Sequence, residues 1–360
     1  MPAASRITRP RGAVFGVVVA TAVSSLILAG CAGRADEGAS VKASEKGCDG
    51  DKLTLTQSTT GFLYFPSYVA EEAGFYKEQG LEVDAKDLGG GSENVAAVVS
   101  GSADVALTAY SSIISAREEG APIVAIDSIM DQYASNVVIS KEAAQKAGVT
   151  EDSSAKEKIA ALEGLKLGIT SAGSGTDQLF HYLFEQGGMN ADDDAQLLPI
   201  GEESAMIAAF KTGKIDGFSL SSPTSDLAVS QGGVMLFDLS SGEYPPLDPF
   251  LYIVAVANSD TLDEKARVLT CFSKAIGQAL TLIDENPGRA RELGRVAFAD
   301  IDGSLYETAF ERNVAGYPSS PVIDKGEASK VFDFVASFED GLETATVGNT
   351  VNPNLAAAAR

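Results

Sequence analysis

The 360-residue chain has one histidine and three cysteines, and these shortages remove most of the usual catalytic apparatus. A Ser-His-Asp hydrolase would have to use His181, which lies between Phe180 and Leu183 on an expected helix, where an imidazole is more simply a structural or surface group. No G-x-S-x-G elbow, G-x-x-x-x-G-K-S/T loop or H-E-x-x-H pair occurs in the chain. Basic residues are also scarce: 27 Lys and Arg stand against 50 Asp and Glu, a net charge of −23. Self-repulsion of that sign favours solubility and makes nucleic acid and anionic lipid surfaces poor partners, while leaving the charge of a small ligand open. Asp300, Ile301, Asp302, Gly303 and Ser304 carry part of a calcium-loop pattern, but the preceding ligand positions are missing. A capped turn is the better reading, and neither a metal nor a cofactor is expected. Beyond the N-terminal region no apolar run is long enough to span a bilayer.

Arg6, Arg9 and Arg11 precede the apolar run 13–28, which is followed by Ala29, Gly30 and Cys31. Sixteen residues fall short of the roughly 20 that a membrane-spanning helix needs, whereas a basic start, a short apolar stretch and small residues at the end suit an export signal over 1–30. Residues 28–31 resemble a bacterial lipobox, which implies that Cys31 becomes a lipidated first residue. Segment 31–51, rich in Gly, Ala, Ser and charge, is expected to be a flexible tether. Removing 1–30 takes away three arginines and no acid, so 27 basic residues become 24 against 50 acidic, a net of −26. The 330 residues left of 360 exceed what one core usually supports. With Cys31 given to lipid, Cys48 and Cys271 remain. Export makes their pairing chemically possible, and two buried free thiols fit the composition equally well.

Residues 97–112 and 209–223 follow one order: helix end, glycine, aspartate, short strand, hydroxyl cluster. Gly213 and Asp216 each stand 112 residues after Gly101 and Asp104, a displacement that predicts two similar lobes rather than one continuous sheet. These glycines and aspartates read as helix stops and turn caps. Strands are expected at 52–56, 81–85, 105–107, 165–170 and 218–220, and the run 123–130 reads as a buried parallel strand. Ser92 and Ser111 are placed to cap helices, Pro223 stands at an expected first helical position, and Ser174 precedes a helix bearing Leu179, Phe180, Leu183 and Phe184. A strand feeding a helix presents free N–H groups and hydroxyls at one point, where open α/β sheets hold ligands. The acidic run 192–194 reads as a solvated turn. Segment 251–257 is continuously apolar and could return the chain to the first lobe, which the helices from 263 onward would cover.

Residues 68–83, YVAEEAGFYKEQGLEV, resemble a signature of the NMT1/THI5-like family, which includes the nitrate, sulfonate and taurine binding proteins of ABC importers. The likeness continues through Gly89 to Asp104 and reappears at Gly213 to Asp216. It implies an α/β, type II periplasmic binding protein fold, with two α/β lobes joined by two crossing strands and hinged to close on solute. Lobe 1 would be 52–138 with 254–360, and lobe 2 would be 139–253. The resemblance further implies a monomeric, extracytoplasmic receptor without catalytic residues, whose partners are a small-molecule solute and a membrane permease, and the lipobox-like residues imply that lipid holds it to the outer face of the cell membrane. Carried over by position, the cleft takes Thr60, Phe62 and Tyr64, then Gly91 and Ser92, then Thr108, Ala109 and Tyr110 from the first lobe. The second supplies Ser174, Gly175, Thr176, Ser221 and Ser222. The family also has an enzyme branch that makes the pyrimidine precursor of thiamine, dependent on histidine and clustered cysteines with iron. One histidine and three scattered cysteines depart from that pattern.

No Lys or Arg occurs over 57–76, 88–116, 127–140 or 167–210, which hold most of these positions, so an arginine clamp is not expected. An anion would have to be held by helix starts, amides and hydroxyls, as at Ser92, Ser111, Ser174 and Ser222. Conversely, Asp131, Asp177, Glu203 or Asp248 could meet an amine, with Phe62, Tyr64 or Tyr110 stacking on a flat ring. The residues leave both open. Family membership favours a small organic anion or zwitterion of the sulfonate, taurine or nitrate class over a pyrimidine or aromatic amine.

Overall fold

The computed structural model describes residues 47–358 apart from residue 340. The expected signal, Cys31 and the tether as far as residue 46 lie outside the described residues. Ten strands follow in order: β1 Asp51–Gln57, β2 Leu81–Asp87, β3 Val105–Ala109, β4 Ile123–Met130, β5 Ser135–Ile139, β6 Lys166–Ile169, β7 Gln196–Pro199, β8 Gly217–Ser221, β9 Val234–Phe237 and β10 Ile253–Asn258. They form two five-stranded sheets, ordered β2-β1-β3-β10-β4 and β7-β6-β8-β5-β9. The chain passes from the first sheet to the second between β4 and β5 and returns between β9 and β10. Each strand reached by a crossing, β5 or β10, inserts antiparallel between two others. Two α/β lobes joined by two crossings is the fold class the resemblance implied.

Three details differ from the sequence reading. All of β5 pairs within the second sheet, so residues 135–138, assigned above to the first lobe, belong with the second. The apolar run 123–130 is a buried strand, but its sheet neighbour β10 runs antiparallel to it. Residues 48–51 are not tether: Cys48 is fully buried, its amide donates to the Gln79 carbonyl, and Asp51 opens β1.

The repeat has a local cause, visible in both lobes. Gly101 and Gly213 take φ values of 74° and 68°, left-handed conformations that cost glycine no side-chain clash. Three residues on, Asp104 accepts from the Thr54 amide at 2.8 Å, and Asp216 accepts from the Lys166 amide at 2.9 Å. Each aspartate thereby fixes the start of β3 or β8 beside its neighbouring strand, so both β-strands end at equivalent heights. The 192–194 run differs from expectation in a small way, closing a short helix, Ala191–Asp194, rather than a plain turn.

Helix Leu262–Glu285 crosses the first sheet, burying Leu269, Phe272, Ile276, Leu280 and Ile283 at helical spacing. A disulfide joins Cys271 on this helix to Cys48, settling the alternative left open by the sequence. The tail then folds back over β4. The Glu118 carboxylate accepts backbone N–H groups from Glu343, Thr344 and Ala345, Tyr110 Oη meets Thr350 Oγ1 at 2.6 Å, and Val351 bridges to Ala125 in parallel.

Asp127, on β4, is fully buried; the Ser273 hydroxyl donates to it at 2.8 Å, while its other oxygen has no partner. Burial pushes its carboxyl up from 3.8 to about 7, and burial likewise pushes Asp131 up to about 7. An acid with a raised folded pKa holds its proton in the native state where the unfolded chain has lost it. Stability is therefore full below about pH 4 and declines as pH rises towards 7, each such group contributing up to about 1.4 kcal/mol per pH unit. Asp127→Asn is expected to remove the Asp127 share of that slope. Urea unfolding midpoints between pH 4 and 7 that fall equally steeply in the variant would contradict the assignment.

Candidate functional site

Where the C-terminal ends of the strands in both sheets meet, the lobes enclose a chamber of about 30 Å³. Its wall carries no charged side chain. From the first lobe come Ser58, Thr59, Leu63, Tyr64, Gly91, Thr108 and Ala109; from the second, Ser135, Thr170, Ser174, Gly175, Thr176 and Leu220; Tyr252 and Ile253 come from the returning crossing. Three helices begin at this point: Gly91–Val99, Tyr110–Glu118 and Gly175–Gln186. The first two have Gly90 and Ala109 at the N-cap, neither of which caps its helix with a side chain; instead the Ser92 amide donates to Ser171 Oγ at 3.4 Å and the Tyr110 amide to the Tyr252 carbonyl at 2.8 Å. The third is capped by Ser174, which accepts from the Asp177 amide. Helix starts carry partial positive charge, so the chamber favours negative charge although no cation lines it.

The hydroxyls are organised. Thr170 Oγ1 lies 3.0 Å from both Ser174 Oγ and Thr176 Oγ1, and those two lie 2.9 Å apart. On the opposite side Tyr252 Oη meets Ser135 Oγ at 2.7 Å, and the Tyr252 ring stacks on Tyr133 with centroids 4.0 Å apart. Tyr133 in turn donates to the Gly175 carbonyl. Burial pushes the Tyr64 phenol up to about 12, with Ser58 acting in the other direction, so Tyr64 presents a neutral hydroxyl at any physiological pH.

The lobes also bond directly to each other. Ser92 Oγ donates to the Ala172 carbonyl at 2.5 Å, Ser112 Oγ to the Gly173 carbonyl at 2.9 Å, and the Phe62 amide to the Ser222 carbonyl at 2.9 Å. Along one flank, Arg312 from the C-terminal helices reaches both Asp226 and Asp238 of the second lobe, the latter at 2.9 Å.

Of the sequence-derived positions, Tyr64, Gly91, Thr108, Ala109, Ser174, Gly175 and Thr176 come together in the chamber wall. Ser92, Ser221 and Ser222 lie on the seam beside it, where Ser92 and Ser222 bond across the lobes. Thr60 faces outward and donates to Asp87 at 2.8 Å. Phe62 is elsewhere: it stacks on Phe298 and Phe65, with centroids at 4.7 and 5.4 Å, inside the first lobe. Tyr110 also turns away, burying its ring and bonding Thr350. The expected caps shift as well, since Ser92 and Ser111 fall in the second helical position and Pro223 is itself the N-cap. Ser58, Thr59, Ser135, Thr170 and Tyr252 were not foreseen; Tyr252 lay within the apolar 251–257 run, where only strand character was read.

Of the carboxylates considered for an amine, none lines the chamber. Asp131 bonds Ser128, Asp177 accepts from the Gly173 amide at 2.8 Å and faces His181, and Asp248 approaches Gly242. The Asp177 contact raises the His181 imidazole above its ordinary value. Among the described residues there is no cluster of three or more metal-ligating side chains, and no helix is long and apolar enough to cross a membrane.

Two lobes, two crossings and a hydroxyl-lined chamber at the strand ends define the architecture of the periplasmic binding proteins. The alkanesulfonate-binding protein SsuA of Xanthomonas axonopodis pv. citri, solved bound to MOPS, shares this fold with a TM-score of 0.65 at 14% identity, over 84% of this chain and 98% of that one. The family model described as NMT1/THI5 like matches residues 62–290, and the chain belongs to that family. A putative binding protein of Bacillus subtilis, YtlA, is 23% identical over 275 residues, 75% of this chain and 78% of its own length. The 4-amino-5-hydroxymethyl-2-methylpyrimidine phosphate synthase of Aspergillus parasiticus is 30% identical over 146 residues, but only 40% of this chain and 39% of that enzyme are matched.

Proposed function

We propose that this protein is an extracytoplasmic, lipid-anchored solute receptor of an ABC importer, acting as a monomer and delivering a small organic anion or zwitterion to its permease. The observation that carries this reading is the convergence of three helix N-termini from two lobes on an uncharged, hydroxyl-lined chamber. Helix starts and hydroxyls can solvate a sulfonate, carboxylate or nitrate group without a cation. The chamber walls offer no imidazole, thiol or carboxylate for proton transfer or nucleophilic attack, which favours holding over turnover. A space of about 30 Å³ takes a water and little more. Solute therefore enters by parting the lobes, and closure is driven by the contacts it makes to both. The lobes are taken to be 47–134 with 253–358 and 135–252, and anchoring is assigned to Cys31 on its lipobox-like surroundings.

A thermal-shift screen against alkanesulfonates, taurine, nitrate, pyrimidines and amines tests the ligand class, because a solute bound only by the native state raises the melting temperature. Stabilisation by sulfonates or taurine, lost in Ser174→Ala, is the expected result. Stabilisation by pyrimidines alone would overturn the anion assignment, and turnover of any hit would overturn the receptor. In cells, Cys31→Ser is expected to free the protein from the membrane fraction; retention there would remove the anchor.

A further inference from the structure

A second concavity, about 630 Å³, opens along the same seam. Ser58 and Thr59 line the chamber, whereas Thr60, next in the chain, lines this groove. Its size lies within the usual range for small-molecule sites. The walls are largely apolar: Ala297, Phe298 and Ile301 of the first lobe face Ile207, Pro223 and Leu227 of the second. Its charged groups are both acidic, Glu203 and Asp300, and no Lys or Arg lines it. Arg295, close by in sequence, is committed to the carbonyls of Phe298 and Ile301.

Glu203 begins the helix Glu203–Lys211 and is half-buried, with Oε1 shut off from solvent and without a hydrogen-bond partner. Burial raises its carboxyl above the ordinary range; its own amide opposes this, the charge of nearby Asp87 adds to it, and the Thr60 amide and Thr59 hydroxyl oppose it more weakly. A half-buried carboxylate beside apolar walls with no cation near it is costly, and a cation supplied from outside would relieve that cost. An ammonium in the groove brings three donors and a full charge to such a carboxylate, and an attached hydrocarbon would cover the Ile207, Leu227 and Phe298 surface.

We propose that this groove binds an organic cation, a primary ammonium on an apolar body of about six carbons, with Glu203 as its counter-ion. The site is separate from the chamber and of opposite preference, so it does not depend on which solute the chamber takes.

Calorimetric titration of the purified protein with hexylammonium, and with hexanol as its neutral counterpart, tests this. Hexylammonium should bind at least about tenfold more tightly than hexanol, the size of one charge-assisted contact. Glu203→Gln should erase that advantage, and Leu227→Lys, which sets a like charge in the groove, should abolish hexylammonium binding. Ser174→Ala, in the chamber, should leave hexylammonium affinity unchanged. No binding of hexylammonium, equal binding of hexanol, or wild-type affinity in Glu203→Gln would overturn the proposal. So would a loss in Ser174→Ala matching that in Glu203→Gln, since it would place the cation in the chamber. Should Leu227→Lys fail to fold by circular dichroism, Glu203→Gln alone decides. The sulfonate and nitrate arms of the solute screen read the chamber independently, so either site can fail without the other.

Discussion

Gly175→Leu is expected to weaken binding of the chamber's solute by roughly a hundredfold, the consequence of about 3 kcal/mol of overpacking in the closed form. A Cβ at residue 175 would lie 2.9 Å from Tyr252 Oη and 3.0 Å from Ala109 Cβ, both across the chamber, so even alanine forces something to move. Leucine cannot be accommodated there unless the lobes part. Neither lobe loses a core contact, so the melting temperature without solute should barely change. The open arrangement should become the dominant one, since a ligand can draw the lobes together only by its differential affinity for the closed form. Small-angle scattering with saturating solute would show a larger radius of gyration than the wild type. Wild-type affinity and an unchanged radius in Gly175→Leu would show that closure does not bring these surfaces into contact.

The second large effect concerns stability rather than binding. The Cys48–Cys271 bond spans 223 residues of sequence, and ties the start of the first lobe to its longest helix. Removing a native bond of this kind costs about 2–5 kcal/mol. For a chain of this size the Cys48→Ser, Cys271→Ser double variant should melt about 5–10 °C lower. Solute affinity should be unaffected, because neither cysteine lines the chamber. Reductant should lower the wild-type melting temperature by a similar amount and leave the variant unmoved. A variant that melts with the oxidised wild type would mean that the bond does not form in solution.

Much of the architecture was legible because its cause is local. A glycine in the left-handed region followed by an aspartate that grips the neighbouring strand is a short-range requirement, and its repetition 112 residues later, from Gly101 and Asp104 to Gly213 and Asp216, marked two equivalent sheets. The glycine and hydroxyl positions at strand ends, Gly91, Thr108, Ser174 and Thr176, were legible for the same reason. Orientation was not. Ala109 faces the chamber while Tyr110, one residue later, has entered a helix and points at Thr350, a partner 240 residues away. Phe62 likewise follows the site loop but turns into an aromatic cluster built with Phe298 and Tyr306, supplied from the far end of the chain. Ser135 and Tyr252 belong to the crossings, and only the insertion of β5 and β10 into opposite sheets brings their hydroxyls to 2.7 Å. Sequence periodicity identifies a strand and its buried faces, but not which sheet a crossing strand enters.

The misplaced caps carry information too. Serines at 92 and 111 looked like the residues that would satisfy the ends of two helices, yet the helices start two residues earlier than those caps imply, at Gly91 and Tyr110, on caps with no polar side chain. A helix start without its own acceptor is expected where another group is to supply one.

The folding back of the tail over β4 has a consequence for contact between copies of the protein. An apolar strand at a sheet margin is a template on which another chain could add a strand. Here Val351 occupies that margin at Ala125, held by the Glu118 and Tyr110 contacts, so the molecule plugs its own most adhesive rim.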